Sequence, residues 1–254
     1  MDEWRRAIAF MRSIDEGCAE EIVESRWGRV LVNRTLLNAP DLNYLVADRG
    51  LESVRAEELA SECERIQAPT GISFRRANID DQEAAERLLP AFRGIGFKPE
   101  QFCVMVYHRA PDRQVDTADV RQVDWRAYEP GRREEIASWA PSRLIAEQAL
   151  AKQQLTARVI DTSYWCAFVD GTPASFCEVR RRGSAAQVEF VETLERFRRR
   201  GLARQLVSAA LKSLRDSSFT FLVADLFNWP QYFYERLGFD RVGIESRFIR
   251  HVNG

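Results

Sequence analysis

The hydrophobic pattern of the first half of the chain predicts three helices separated by short strands. Segment 2–26 has a helical period, and Gly17 within it acts as a break or a cap. Two further amphipathic helices are predicted over 53–68 and 81–95, where Pro90 implies a kink or an early stop. The apolar stripe of the first helix consists of Trp4, Ile8, Met11 and Ile14. The predicted strands cover residues 28–33, 42–48, 71–78 and 102–108.

A polar segment without periodicity, residues 109–119, separates the two halves and is a candidate linker. A strand over 119–125 and a helical region from about 130 to 155 follow it. Pro141 divides that helical region into two helices, because proline ends or kinks a helix.

The strongest β signal of the chain lies in residues 164–194. Turn dipeptides at Asp170-Gly171 and Gly183-Ser184 divide it into three runs, which predicts a three-stranded meander. An amphipathic helix is expected to start near Gly201, with Leu202, Leu206, Ala210 and Leu214 along one face. The remaining predictions are a strand over 219–225, a short helix over 229–239 and a strand over 241–251.

This order of elements predicts an α/β (α+β) fold with a mixed, mostly antiparallel twisted sheet flanked by helices. A chain of 254 residues with 45% hydrophobic content is long enough for two domains that each bury a core. We predict a smaller N-terminal α/β domain over 1–112 and a second domain over 119–254.

The amino-acid composition bears on the partners, the metal sites and the compartment that we expect. Lys+Arg 37 against Asp+Glu 38 gives a net charge of -1, which disfavours a nucleic-acid partner. The five cysteines lack the spacing of zinc sites and of disulfide scaffolds, and the two histidines suggest no metal site. No signal peptide and no membrane span are indicated, so we expect a cytoplasmic protein without a membrane partner.

The stretch Arg196–Val207 contains five arginines and one glycine. It lies between a predicted strand and a predicted helix, where unpaired N–H groups and the helix dipole favour an anion. Arginine side chains would add charge and bidentate hydrogen bonds. The alternative is an exposed basic helix start, which is the more frequent structure.

Residues Arg198–Ala203 fit the R/Q-x-x-G-x-G/A signature of the GNAT superfamily of acetyl-CoA-dependent N-acetyltransferases. The segment Phe233–Phe239 resembles the C-terminal motif of that family, with Tyr234 at the position of its usual general acid. The resemblance covers about Asp119 to the C-terminus and implies the acyl-CoA N-acyltransferase fold and an acetyl-CoA co-substrate without a metal. The cofactor-binding residues that it implies are Val191, Glu192, Thr193, Arg198, Arg199, Arg200, Gly201, Leu202, Ala203, Arg204, Asn228 and Tyr234.

Three positions depart from the family pattern. Ala203 replaces the second glycine of the signature, and Glu195 stands where proline is common. Asn228 lies six residues before Tyr234 instead of seven, which puts its side-chain role in doubt.

The N-terminal half resembles a degenerate copy of the same domain. Aligning Gly96-Phe97 with Gly238-Phe239 places Phe92 at the position of Tyr234, and no signature loop follows the strand that leads to Gly50. The resemblance implies an inactive partner domain. The alternative is that this short match is only a helix C-cap with an apolar anchor.

The catalytic candidates are Tyr234, as the acid that protonates a leaving thiolate, and Glu189 and Glu192, as bases for the amine. Glu178 is a further possible base. Period-2 alternation puts Glu189 on the same side of its strand as Val191, with Glu192 on the other side. A backbone N–H near Val191 or Thr193 would polarise the thioester oxygen. Each glutamate is alternatively a solvated strand carboxylate, and the tyrosine a packed aromatic.

We therefore expect an N-acetyltransferase that moves acetyl from acetyl-CoA to a primary amine by direct attack in a ternary complex. The acceptor, a small molecule or a peptide amine, and the oligomeric state are not readable from the sequence. The alternative is a non-catalytic acyl-CoA-binding sensor or scaffold.

Overall fold

The computed structural model describes residues 2–252, and its chain divides into two compact units. The first unit contains residues 2–104, 225–227 and 242–252, and the second contains Met105–Ala224 and Asn228–Arg241. This grouping differs from the predicted segments 1–112 and 119–254, because the end of the chain pairs with a strand of the first unit.

The described residues contain seven α-helices and eleven strands. The helices are α1 Glu3–Cys18, α2 Ala56–Gln67, α3 Gln82–Gly94, α4 Trp125–Trp139, α5 Arg143–Val159, α6 Leu202–Ser213 and α7 Pro230–Arg236. The strands are β1 Glu21–Ser25, β2 Gly28–Val32, β3 Tyr44–Ala47, β4 Phe74–Ile79, β5 Lys98–Tyr107, β6 Val120–Val123, β7 Asp161–Val169, β8 Thr172–Arg182, β9 Ala185–Thr193, β10 Phe219–Asp225 and β11 Phe239–His251. The predicted mixed, mostly antiparallel sheet flanked by helices is confirmed.

In the first unit, β1 to β4 are neighbours in chain order, and β11 pairs antiparallel with β4. Only β3 and β4 are parallel, as a helical crossover through α2 requires. The main core of this unit lies between the strands and helices α2 and α3, and includes Leu45, Leu59, Phe92 and Phe248.

The predicted helix over 2–26 is too long. Helix α1 ends at Cys18, Ala19 is already extended, and the backbone N–H of Glu20 bonds the carbonyl of Val32 at 2.9 Å. The β-branched Ile22 therefore continues into β1, where pairing with β2 outweighs the helical pattern. Pro90 does not stop α3, which continues to Gly94.

In the second unit, the predicted meander is confirmed as β7, β8 and β9, joined by tight turns. Asp170 and Gly171 both have positive φ (49° and 77°), as a two-residue type I′ hairpin turn requires. Helix α4 starts at Trp125, ahead of the predicted 130, because the Asp124 side chain caps it by accepting from the N–H of Ala127 at 3.0 Å.

The predicted linker contains no helix or strand between β5 and β6. It packs on α6 through two side-chain contacts. Asp112 forms an ion pair with Arg204, and Lys212 Nζ donates to Thr117 Oγ1 at 3.0 Å. This segment is therefore part of the second unit.

Candidate functional site

A β-bulge distorts the central strand β9. Phe176 pairs with Glu192 and Glu178 pairs with Glu189, so two residue steps on β8 face three on β9. Phe190, inside the bulge, has a φ of 52°, which is unusual for a residue with a side chain. Cross-strand partners share a face, so Glu189 and Glu192 lie on the same face of the sheet. The alternation that placed them on opposite faces was wrong, because the bulge adds one residue.

Strands β9 and β10 separate after a short paired region. They are parallel and pair at only three positions, the last being Gln187 with Phe221. Strand β9 continues to Thr193, so its edge over residues 188–193 is not covered by β10 within the described part of the chain. A gap between two strands, next to a bulge, is a typical position for a ligand.

The signature loop leads from β9 to α6. Gly201 is the N-cap residue, with a φ of 80° that favours glycine, and a Cβ added there would meet nothing within 4 Å. The backbone N–H groups of residues 199 to 203 have no acceptor among the described residues. Five successive free donors at a helix N-terminus form an anion-binding surface.

The arginines of the loop differ in their contacts. Arg199 and Arg200 are exposed, and Arg198 Nε donates to the carbonyl of Thr193 at 3.2 Å. Arg204 is buried and forms an ion pair with Asp112, so its side chain is not free to bind a ligand. Three arginines thus remain beside the free N–H groups.

Leu202 and Ala203, in the first turn of α6, differ in burial. Leu202 is buried in a small cluster with Ala167 and Ala174, which fixes the helix start against the sheet. Ala203 is half-buried, and its short side chain leaves the N–H groups of this turn accessible.

Tyr234 lies on α7 and is 8% exposed. Its hydroxyl donates no hydrogen bond to any described residue. Burial raises the pKa of this phenol well above its usual range, and the charges of Glu192 and Glu189 raise it further. The phenol therefore keeps its proton at physiological pH.

Glu192 is the carboxylate of the bulge without a partner. Its side chain is half-buried and forms no hydrogen bond or ion pair within residues 2–252. Burial raises its pKa, and the charge of Glu135 raises it further. In contrast, Glu189 accepts a hydrogen bond from Gln187 Nε2 at 2.5 Å. Glu192 is therefore better suited to accept a proton near neutral pH.

Glu178, the further candidate base, is held in a buried network. It is completely buried and bonds Arg180 Nη2 at 2.8 Å and Gln153 Nε2 at 3.0 Å. These partners occupy both carboxylate oxygens, so its role is structural.

The remaining predicted site residues, Val191, Thr193 and Asn228, differ in burial and in hydrogen bonding. Val191 and Thr193 are half-buried on the uncovered part of β9, and Thr193 Oγ1 lies 2.9 Å from Ser175 Oγ. Asn228 is exposed between β10 and α7, and its side chain has no hydrogen bond to a described residue. The structure brings Tyr234 near Glu192 and Glu189 but gives Asn228 no partner at the site.

Sequence reasoning missed two residues of α4. The guanidinium of Arg132 lies 4.4 Å from the ring centre of Phe190, at the bulge. Glu135 accepts a hydrogen bond from Trp139 Nε1 at 3.0 Å and acts on the pKa of Glu192. Neither residue belongs to a motif, and both lie more than 50 positions before Glu192, so no local signal could have found them.

Neither a candidate metal site nor a candidate membrane-spanning helix occurs in residues 2–252. No group of three or more His, Cys, Asp or Glu residues there is arranged to hold a metal ion. No helix in that range combines the length and apolar character needed to cross a membrane.

The family of residues 118–239 follows from a comparison with known protein families. Residues 118–239 match the model of the acetyltransferase (GNAT) family. These residues, which contain every candidate site residue, are a GNAT domain, and the resemblance stated from the sequence is confirmed. A comparison with curated proteins found no match to the sequence.

Several solved structures share the fold over most of the chain. A functionally unknown conserved protein from Staphylococcus epidermidis ATCC 12228 is 13% identical, with a TM-score of 0.72 over 92% of this chain and 95% of that one. A GCN5-related N-acetyltransferase from Kribbella flavida is 16% identical, with a TM-score of 0.62 over 99% and 96%. A tandem GNAT protein from the clavulanic acid biosynthesis pathway is 12% identical, with a TM-score of 0.54 over 91% and 82%. At these identities the likeness shows the fold alone.

Proposed function

We propose that this protein transfers the acetyl group of acetyl-CoA to a primary amine by direct attack in a ternary complex. The observation that carries the proposal is the row of five free backbone N–H groups at residues 199 to 203. They provide donors for the diphosphate of coenzyme A, and the exposed Arg199 and Arg200 add positive charge. Membership of residues 118–239 in the GNAT family supports this assignment.

Glu192 is the base in this proposal. A lysine-like amine has a pKa of about 10.4, so only roughly 1 in 2,500 molecules is neutral near pH 7. Glu192 accepts the proton that the amine nitrogen loses as its bond to the thioester carbon forms, directly or through one water. The absence of a partner for its carboxylate within residues 2–252 supports this role.

Tyr234 is the acid. When the carbon–sulfur bond breaks, its phenol donates a proton to the leaving thiolate, so the products are an amide and free thiol. The phenol is protonated near pH 7, and its hydroxyl has no competing acceptor among the described residues. A backbone N–H at the bulge, near Val191, polarises the thioester oxygen.

A thiol-release assay with acetyl-CoA and a panel of amines tests the proposal. The panel should contain small alkyl amines, diamines, amino sugars and peptides with free amines. We expect thiol release that depends on at least one amine and is lost in Gly201→Asp. Release that depends on no amine, with an intact thermal shift by acetyl-CoA, would contradict amine acetylation while leaving cofactor binding in place.

A further inference from the structure

The second unit contains a cavity of about 410 Å³ that the proposed reaction does not use. Its walls are the segment after β5, the C-terminal half of α6 and the start of β10. The first residue of α6 that lines it is Ser208, six positions after Leu202, or roughly 9 Å along the helix axis. The cavity is therefore separate from the signature loop.

Two hydroxyl groups line the buried part of this cavity. Ser208 is 8% exposed and Thr220 is 5% exposed, and neither side chain forms a hydrogen bond within the described residues. Neither hydroxyl is among the fully buried side-chain polar atoms that lack a partner, so both oxygens are open to the cavity. They are therefore available to a polar ligand.

Three positive side chains line the same cavity. Arg113, Lys212 and Arg215 are exposed, and none of them forms an ion pair with a described residue. No carboxylate lines the cavity. Of the nearby acidic residues, Asp112 forms an ion pair with Arg204, and Asp216 does not line the cavity.

We propose that this cavity binds a small phosphorylated molecule that carries at least two negative charges. A phosphate group carries about −1.5 to −2 charge and three acceptor oxygens, which suits three unpaired cations better than a carboxylate does. The hydroxyls of Ser208 and Thr220 donate to the same ligand. The volume lies within the usual range of small-molecule sites, about 300–1,000 Å³.

Binding would also hold the segment after β5 against α6. That segment supplies Arg113, and α6 with the turn after it supplies Lys212 and Arg215. A phosphate that bonds both sides joins two parts of the unit that are otherwise tied by Asp112–Arg204 and Lys212–Thr117. The site is independent of the proposed acetyl transfer.

Inorganic pyrophosphate is the test ligand, titrated by calorimetry at constant ionic strength. The experiment uses the Gly201→Asp protein, because the signature loop would also attract pyrophosphate. We expect saturable binding in this background. Arg215→Ala should weaken it at least about tenfold, and Thr220→Val, a nearly isosteric change, about three- to tenfold. Arg143→Ala, at an exposed arginine on α5 outside the cavity, should leave the affinity unchanged.

Three results would overturn the proposal: no binding in the Gly201→Asp protein, affinity unchanged by Arg215→Ala and Thr220→Val, or displacement of pyrophosphate by acetyl-CoA in the Gly201→Asp protein. Failure of the proposed acetyl transfer looks different. It would appear as a missing thermal shift by acetyl-CoA or as missing amine-dependent thiol release, whatever pyrophosphate does.

Discussion

Two strand–helix–strand crossovers of the chain have the same topology but differ in how far their two parallel strands stay paired. In the first unit, β3 passes through α2 into the parallel β4, and in the second, β9 passes through α6 into the parallel β10. Strand β3 pairs to its last residue, Ala47 with Ile79, and the N–H of Asp80 then bonds the Ala47 carbonyl at 2.9 Å. Strand β9 loses its partner after Gln187. The strands of the first crossover therefore stay paired to the end of β3, whereas those of the second separate before the end of β9.

The helix starts show the same difference. At α2, the carboxylate of Glu58 accepts from the backbone N–H of Arg55 at 3.0 Å, and Glu57 adds a second negative charge to the first turn. An anion would be repelled there. The first turn of α6 has no acidic residue and no side-chain cap. The same topology thus leaves the helix start open to an anion only in the second unit, where no acidic side chain or side-chain cap occupies it.

The aromatic residues after each crossover are also comparable. Phe92 lies 5.2 Å from Phe97 with the rings at 66°, and Tyr234 lies 6.0 Å from Phe239 with the rings at 70°. This geometry supports the alignment made from the sequence. Phe92 has no hydroxyl and is completely buried, so the first unit has no counterpart of the proposed acid.

Two carboxylates, one in each unit, differ in their partners and in the direction of their pKa shift. In the first unit, Glu245 is completely buried and pairs with Arg12 at 3.0 Å and with Arg247 at 2.7 Å. These partners lower the pKa of Glu245 to about 2, despite burial. In the second unit, Glu192 has no partner among the described residues, and its pKa is raised. A carboxylate that is half-buried and unpaired is a candidate for proton transfer.

Closing the open helix start should have the largest effect. Gly201→Asp places a negative charge against the free N–H groups and should abolish the stabilisation by acetyl-CoA, which we expect to be roughly 5–10 °C at a hundredfold excess over Kd. Differential scanning fluorimetry measures this shift. Gly71→Asp is the matched control, since Gly71 also has positive φ (83°) and open space around it. A shift retained in Gly201→Asp would exclude this loop as the cofactor site.

Glu192→Gln should lower kcat about 10²- to 10⁴-fold, the usual contribution of a general base. Below its raised pKa the carboxylate is protonated and cannot accept a proton, so activity should fall as pH decreases through a value above the usual carboxylate range. A pH–rate profile should show this acid limb and its loss in Glu192→Gln. Glu195→Gln, at an exposed neighbour, is the control. An identical limb in both variants would assign the base elsewhere.

Glu245→Gln should lower the free energy of unfolding by about 3–5 kcal/mol, because it leaves the buried Arg12 and the half-buried Arg247 without their shared partner. The pKa of Glu245 is lowered from 4.5 to about 2, so its stabilising contribution is complete above about pH 4.5 and is lost as pH falls toward 2. Urea unfolding across this range measures both effects. Glu24→Gln, at an exposed ion pair, should change little. Equal stabilities of the two variants would contradict the structural role.

Tyr234→Phe should have the smallest effect, about 10- to 10²-fold on kcat, because a thiolate is a good leaving group. The stabilisation by acetyl-CoA should stay unchanged. Steady-state kinetics with an accepted amine measures the first quantity and fluorimetry the second. Tyr232→Phe, at an exposed position on the same helix, is the control. A kcat equal to that of the control would remove Tyr234 from the reaction.

Local patterns predicted much of the fold and part of the site. Turn dipeptides at 170–171 and 183–184 predicted the meander, and the glycine at 201 predicted the helix start, because these features depend on neighbouring residues. The bulge at Phe190 depends on the pairing of β8 with β9, which no periodicity reveals. Glu135 and the pairing of β11 with β4 depend on contacts between distant segments. Such contacts are decided by packing rather than by local sequence.

A crystal structure of the protein with coenzyme A would locate the diphosphate relative to the first turn of α6. We expect diphosphate oxygens to lie about 2.7–3.2 Å from backbone nitrogens of residues 199 to 203. A diphosphate bound elsewhere, with those N–H groups facing water or a protein side chain, would contradict this expectation.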